Sequence, residues 1–100
     1  MAQLTIVYWR DIPAQVIVKL GRQSEKAQLS ERFEKAIDRA AMRAGFTSTD
    51  AYLEEWRKSD PVQVGDDLVS ECQKALAQLE ADFDDEVLKA LVINGGRRNV

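Results

Sequence analysis

The residues best suited to recognition chemistry lie in one short run near the start of the chain: Trp9, Arg10, Asp11 and Pro13. Tryptophan and arginine are the residue types that dominate the energies of protein interfaces. A proline beside a charged pair favours a corner, which would hold these side chains at the surface. The sequence therefore predicts a partner-binding corner, which Tyr52 and Trp56 would extend. The alternative is a structural corner in which Trp9 is packed and Arg10 pairs with Asp11.

A second candidate site is a stripe of basic residues at helical spacing, formed by Arg32, Lys35, Arg39 and Arg43. Like charges four residues apart slightly destabilise an isolated helix, so a compensating anion is expected. One source would be the acidic C-terminal helix of the same chain. The other would be an external anion-binding role, in which Arg10, Arg39 and Arg43 grip an anionic metabolite.

Several chemistries are excluded or disfavoured by residue type. The chain contains no histidine, which removes Ser-His-Asp and Cys-His catalysis and nearly all the usual zinc sites. Cys72 lies among apolar residues of a predicted helix, which favours a packed and unreactive thiol. An acidic cluster lacks the glycine-turned loop of a calcium site and is predicted to be a solvated helix face; its members are Asp82, Asp84, Asp85 and Glu86. We therefore expect no enzyme, no cofactor and no metal.

The composition fits a single domain spanning residues 1–100. The apolar share is 45% and the charged share 31%, as in an ordinary globular domain. One cysteine excludes an internal disulfide and suits a reducing cytoplasm, and no apolar run is long enough to span a membrane. The net charge of −3, with no basic strand interleaved with aromatic residues, argues against a nucleic-acid partner.

Two runs of β-branched and aromatic residues predict an antiparallel hairpin over residues 5–19, with a loop at residues 10–14. Because an isolated hairpin is marginal in water, helices must cover it. Apolar residues at three- and four-residue intervals predict a helix from Glu25, capped by Ser24, to Gly45. A capping box from Thr47 to Asp50 predicts a brief second helix that reaches Trp56 and stops near residue 59.

The C-terminal half predicts one more strand and one long helix. Residues 61–65 alternate as an edge strand that begins at a proline. Asp66 or Asp67 then caps a helix that, if continuous to Asn94, is roughly 40 Å long, so its end projects or it bends. The apolar end of this helix is either tucked into the core or forms a dimer contact; the contact residues would be Leu88, Val92 and Ile93. Residues 95–100 are predicted to be a flexible basic tail.

The order ββααβα defines an α+β fold, a hairpin and a short third strand covered by three helices. The run at residues 8–16, the helix around residues 32–43 and the segment at residues 52–57 resemble a small bacterial family described as virulence factor domains. The family occurs as standalone proteins of this length in alphaproteobacteria, and a related module occurs in larger Gram-positive proteins. Such small proteins are encoded near genes of folate-linked one-carbon metabolism, so the resemblance implies an accessory subunit in that metabolism. It supplies no catalytic residues.

From these observations the leading hypothesis is a non-catalytic, cytoplasmic protein-binding module or accessory subunit that docks through the hairpin corner. Two alternatives remain open. The first is a binder of an anionic metabolite, and the second is a self-associating structural protein joined as a homodimer.

Overall fold

The fold is built on an antiparallel sheet, seen in a computed structural model that describes residues 2–45 and 49–97. Strands β1 (Ala2–Trp9) and β2 (Ile12–Leu20) form the hairpin. Only Arg10 and Asp11 lie between them, and Arg10 adopts a left-handed backbone conformation with φ 54°. Two-residue hairpin turns need positive φ because their twist then matches that of the strands. The predicted loop over residues 10–14 is therefore wrong, since the second strand resumes at Ile12.

Pro13 lies inside β2, where it is buried rather than exposed in a loop. The register explains how the strand accommodates it. Val7 pairs with Gln15 but Tyr8 pairs with Pro13, so Ala14 is an extra residue in β2. Prolines in sheets are found at such bulges because the ladder is already interrupted there.

Three further strands extend the sheet. β3 (Gln23–Gln28) pairs with β2, while β4 (Trp56–Lys58) and β5 (Val62–Val64) both pair with β1. β5 confirms the predicted edge strand. The helix predicted from Glu25 is wrong at its start, because residues 23–28 form a hairpin with β2 after a turn at Gly21. The brief second helix is also shorter than predicted, and Trp56 lies on a strand.

The helices in the described residues are α1 (Glu31–Arg43), α2 (Thr49–Glu54), α3 (Leu68–Asp82) and α4 (Asp85–Ile93). α1 begins after Ser30, not Ser24, and Gly45 follows its end with φ 81° as predicted. Asp67 caps α3 through a hydrogen bond from the Ser70 N–H, which confirms the predicted cap. The long helix is broken at Phe83, where Asp84 caps a separate α4. The capping role of Thr47 lies outside the described residues.

The helices pack on the sheet and on one another, with α3 on β2 and β3, and α1 on β2 and α4. The buried side chains form one core between these layers, and its largest fully buried members are Trp9, Phe33, Ile12, Val16 and Val18. Val7 and Ile17 do not belong to that core and are half-buried. The α+β class is confirmed, with five strands and four helices in the described part of the chain where three of each were predicted.

Candidate functional site

The hairpin corner is closed by the chain itself. Trp9 is 0% exposed, so the prediction that its side chain faces a partner is wrong. Its ring stacks on Tyr52 with centroids 5.7 Å apart and 27° between the planes, and its indole N–H donates a 3.0 Å hydrogen bond to the Tyr52 carbonyl. Gly96 covers the ring so closely that a Cβ there would lie 2.7 Å from Trp9 Cζ3.

Arg10 is held in the same closure. Its side chain is 13% exposed, and its Nη2 lies 3.3 Å from Glu55 Oε1. Its Nη1 donates a 2.9 Å hydrogen bond to the Gly95 carbonyl. Asp11 pairs instead with Arg57 at 3.2 Å, so the predicted pairing of Arg10 with Asp11 is replaced by two ion pairs to the β4 segment.

The chain after α4 completes the corner rather than forming a loose tail. Gly95 and Gly96 are buried, and the Gly96 carbonyl accepts a 2.9 Å hydrogen bond from the Asp11 N–H. Arg97 Nη2 lies 3.6 Å from Glu55 Oε2. The prediction of a flexible tail from residue 95 is therefore wrong for residues 95–97, and residues 98–100 lie outside the described part of the chain.

Arg32, the first member of the basic stripe, is bound within the molecule. Its Nη2 lies 2.9 Å from Glu80 Oε1, and its Nη1 lies 3.5 Å from Asp85 Oδ1 and donates to the Phe83 carbonyl. Its guanidinium also lies 4.5 Å from the Phe33 ring centroid. Arg32 thus joins α1 to the break between α3 and α4, which agrees with the internal anion that the sequence suggested for the stripe.

Glu80, which pairs with Arg32, also binds the residue that precedes α1. Its carboxylate accepts 2.9 Å hydrogen bonds from the Ser30 N–H and the Ser30 hydroxyl. Burial alone would raise the pKa of Glu80, but the hydrogen bonds from Ser30 and Arg32 lower it overall. A carboxylate that is bonded in its charged form favours that form.

The other basic residues near this face form fewer contacts within the molecule than Arg32 does. Arg43 donates a 3.1 Å hydrogen bond to the Ile93 carbonyl, and Lys35 lies 3.6 Å from Glu31 on an exposed helix face. Arg39 and Lys89 form no ion pair with any residue in the described ranges 2–45 and 49–97. The stripe is therefore divided between a structural residue, Arg32, and cations that face solvent.

Lys35, Arg39 and Lys89 border a groove between α1 and α4 with a volume of about 350 Å³. We call it the α1–α4 groove; its lining residues are Arg32, Lys35, Ala36, Arg39, Asp85, Leu88, Lys89 and Val92. Its floor is apolar and its rim is mainly basic. The proposed self-association residues are not equivalent here, because Leu88 is only 4% exposed while Ile93 is 52% exposed and does not line the groove.

The opposite flank of α1 borders a smaller cleft of about 220 Å³. We call it the aromatic cleft, and its lining residues are Ala14, Gln28, Leu29, Phe33, Glu34, Ile37, Asp38, Tyr52 and Trp56. The rings of Tyr52 and Trp56 meet edge to face, with centroids 6.0 Å apart and 86° between the planes. Burial raises the pKa of Tyr52, and the negative charges of Asp38 and Glu34 raise it further.

Sequence reasoning grouped Tyr52 and Trp56 with the hairpin corner and assigned Glu34 and Asp38 to no site. The structure brings all four to one cleft. The available signal was the repeat of an acid four residues after an acid on a helix that already carried a basic stripe.

Cys72 is buried in α3, with its sulfur 4.0 Å from the Val16 carbonyl oxygen. Burial raises the pKa of its thiol, and the charge of Glu25 adds to the effect. A buried thiol with a raised pKa is unreactive at neutral pH, which confirms the packed role predicted for it. Across the described ranges, no group of three acidic, histidine or cysteine side chains is placed to hold a metal ion.

Fold and surface together define a small α+β domain in which Trp9 of the hairpin corner is buried and each flank of α1 borders an open depression. Its sequence matches the model of the virulence factor family over residues 7–92, so the chain belongs to that family and the resemblance read from the sequence is confirmed. Searches of curated proteins and of solved structures gave no match. Among the described residues, no helix has both the length and the apolar character needed to cross a lipid bilayer.

Proposed function

We propose that this domain is a non-catalytic, cytoplasmic protein-binding module that receives an acidic amphipathic segment of a partner protein in the α1–α4 groove. The observation that carries the proposal is the combination of an apolar floor with a cationic rim. Arg39 and Lys89 border the groove without an acidic partner among the described residues. The hairpin corner is not proposed as the binding surface, because Trp9 is buried and Arg10 donates a hydrogen bond within the molecule.

The apolar floor is the source of affinity. Val92 is half-buried beside Ala36 and Leu88, so an aliphatic side chain laid on this floor would remove apolar surface from water. Each side chain fully buried in this way contributes about 1.5–3 kcal/mol. An amphipathic helix provides such side chains at three- and four-residue intervals along one face.

The basic rim is the source of selectivity. Arg39 and Lys35 lie one helical turn apart on α1, and Lys89 faces them from α4. Carboxylates on the flanks of the partner segment would meet these cations, and their complementary charge raises the association rate as well as excluding basic segments. Asp85 lies beside Arg32 at one end of the groove, so its negative charge would face only that end of an acidic partner segment.

The test is binding of a synthetic helical peptide that has leucines along one face and glutamates elsewhere. Fluorescence anisotropy of the labelled peptide is measured with the wild-type protein and with Arg39→Glu/Lys89→Glu. The double variant should weaken binding at least tenfold. The matched control is Arg22→Glu/Lys26→Glu, which makes the same charge change at exposed positions outside the groove and should bind as the wild type does. Equal weakening by both double variants would overturn the proposal, because it would reduce the effect to net charge.

Binding of a small anion is the second candidate function, because Arg39 has no acidic partner within residues 2–45 and 49–97. It no longer includes Arg10, whose guanidinium is bound by Gly95 and Glu55. A triglutamate peptide separates the two candidates, since it carries the charge without the apolar face. If triglutamate binds as tightly as the amphipathic peptide, the small-anion function replaces the protein-binding one. Sedimentation of the protein alone tests self-association, and we expect a monomer.

A further inference from the structure

The aromatic cleft has the chemistry of a cation site. Tyr52 and Trp56 form an edge-to-face pair on one side, and Phe33 and Ile37 lie on the α1 side. Aromatic rings attract ammonium and guanidinium groups because the face of the π system is negative, and they also pack against the aliphatic stems that carry these groups. The volume of about 220 Å³ is below the roughly 300–1,000 Å³ of pockets that hold drug-sized ligands. The cleft therefore suits a single side chain or a small linear molecule.

The charges at the mouth of the cleft point the same way. Glu34 and Asp38 are exposed one turn apart on α1, and neither forms an ion pair with a described residue. Their field reaches the cleft, since both charges raise the pKa of the Tyr52 hydroxyl. Acids four residues apart repel each other on a helix, and a cation bound between them would remove that repulsion.

We infer that the aromatic cleft binds an ammonium or guanidinium group on an aliphatic stem, with the stem against the rings and the charge between Glu34 and Asp38. A divalent metal ion does not fit, because calcium takes six to eight oxygen ligands and the cleft lining includes two carboxylates, those of Glu34 and Asp38. An anion is repelled by the two carboxylates. This site is separate from the α1–α4 groove, with which it shares no lining residue.

The test uses capped tripeptides Gly-Lys-Gly, Gly-Arg-Gly and Gly-norleucine-Gly, titrated against ¹⁵N-labelled protein. The indole N–H resonance of Trp56, assigned with Trp56→Phe, reports on binding. Lysine and arginine peptides should shift this resonance in a saturable way, and the norleucine peptide should bind at least tenfold more weakly because it keeps the aliphatic stem of lysine without the ammonium group. Free cadaverine is titrated in parallel: tighter binding by cadaverine identifies a free amine as the ligand, and tighter binding by the peptides identifies a side chain of another protein.

The decisive variant is Glu34→Gln/Asp38→Asn, which keeps the shape of two exposed side chains and removes their charge. It should weaken lysine-peptide binding at least tenfold, while the rest of the spectrum confirms an unchanged fold. The matched control, Asp66→Asn/Glu86→Gln, makes the same chemical change outside the cleft and should bind as the wild type does. Equal binding of norleucine and lysine peptides, or full affinity in the Glu34/Asp38 variant, would overturn the inference. Arg39→Glu/Lys89→Glu should retain lysine-peptide binding, so failure of the groove proposal is distinguishable from failure of this one.

Discussion

The hairpin corner and the α1–α4 groove both place arginine beside apolar side chains, but they differ in how far the rest of the chain contacts these side chains. At the corner the chain itself contacts the side chains of Trp9 and Arg10. Gly96 covers the Trp9 ring, and Glu55 and the Gly95 carbonyl bind Arg10. At the groove Arg39 and Lys89 border an apolar floor without an acidic partner among the described residues. Residue types that favour recognition therefore do not distinguish an internal contact from an external one; the distant segment that completes the contact does.

The sharpest test of the sealed corner is Gly96→Ala. The added Cβ would lie 2.7 Å from Trp9 Cζ3, at a backbone φ of 93°. Overpacking a tight contact costs about 1–3 kcal/mol, and a left-handed conformation costs an L-residue about 1–2 kcal/mol. We expect the free energy of unfolding, measured by urea denaturation, to fall by about 3 kcal/mol.

The control for that change is Gly21→Ala, also at positive φ, where nothing lies within 4 Å of the new Cβ. It isolates the backbone term, so it should lower the free energy of unfolding by only about 1–2 kcal/mol. If the two variants are equally stable, Gly96 does not pack on Trp9 and the corner is open.

A second comparison sets two arginines of the same corner against each other. Arg10 is mostly enclosed and binds Glu55 and the Gly95 carbonyl, whereas Arg57 is about half exposed where it pairs with Asp11 and donates a hydrogen bond to the Arg10 carbonyl. Hydrogen bonds to charged groups contribute about 1.5–3 kcal/mol, while exposed ion pairs contribute about 0–1 kcal/mol. Arg10→Ala should therefore lower the free energy of unfolding by about 2 kcal/mol and Arg57→Ala by less than about 1 kcal/mol. The reverse order in urea denaturation would show that Arg10 is not held internally.

The smallest expected effect concerns Glu80, the acid that pairs with Arg32 of the basic stripe. The pKa of Glu80 is lowered in the folded protein, so its charged form adds stability above its unfolded pKa of about 4.3. That contribution is lost as the pH falls through the folded pKa. The wild type should be more stable than Glu80→Gln at pH 7, by an amount near the roughly 0–1 kcal/mol of exposed ion pairs, and the difference should shrink towards pH 3.

Urea denaturation of both proteins at pH 7, 5 and 3 measures this difference. Glu86→Gln, which changes an exposed acid of α4 that is not among the observed ion pairs, should match the wild type throughout. A gap between wild type and Glu80→Gln that stays constant from pH 7 to pH 3 would contradict the role assigned to the Glu80 charge.

Features set by neighbouring residues were predictable from the sequence. The Asp67 cap, the end of α1 near Gly45, the strand Val62–Val64 and the buried Cys72 all follow from local chemistry. β3 was not predictable in this way, because Gln23–Gln28 carries little apolar pattern and is a strand through its pairing with β2. The break at Phe83 was not predictable for a similar reason. Apolar residues continue at helical intervals across it, and only the Asp84 cap marks a new helix.

The candidate sites were predictable only in part. The basic stripe was visible from its spacing, and so was an acidic source for its charge, which Arg32 finds in Glu80 and Asp85. The contact of Arg10 with Gly95 joins residues 85 positions apart, and no local pattern encodes such a separation. The aromatic cleft needed the same information, because Glu34 and Asp38 line one cleft with Tyr52 and Trp56 only in the folded chain.

The closure of Trp9 by Gly96 has a consequence for synthesis on the ribosome. The first strand emerges early, yet its tryptophan cannot be fully covered until residue 96 has also left the exit tunnel. At about 5–20 residues per second, the nascent chain displays this ring for several seconds. During that interval the side chain is available to chaperones, although it is inaccessible in the finished protein.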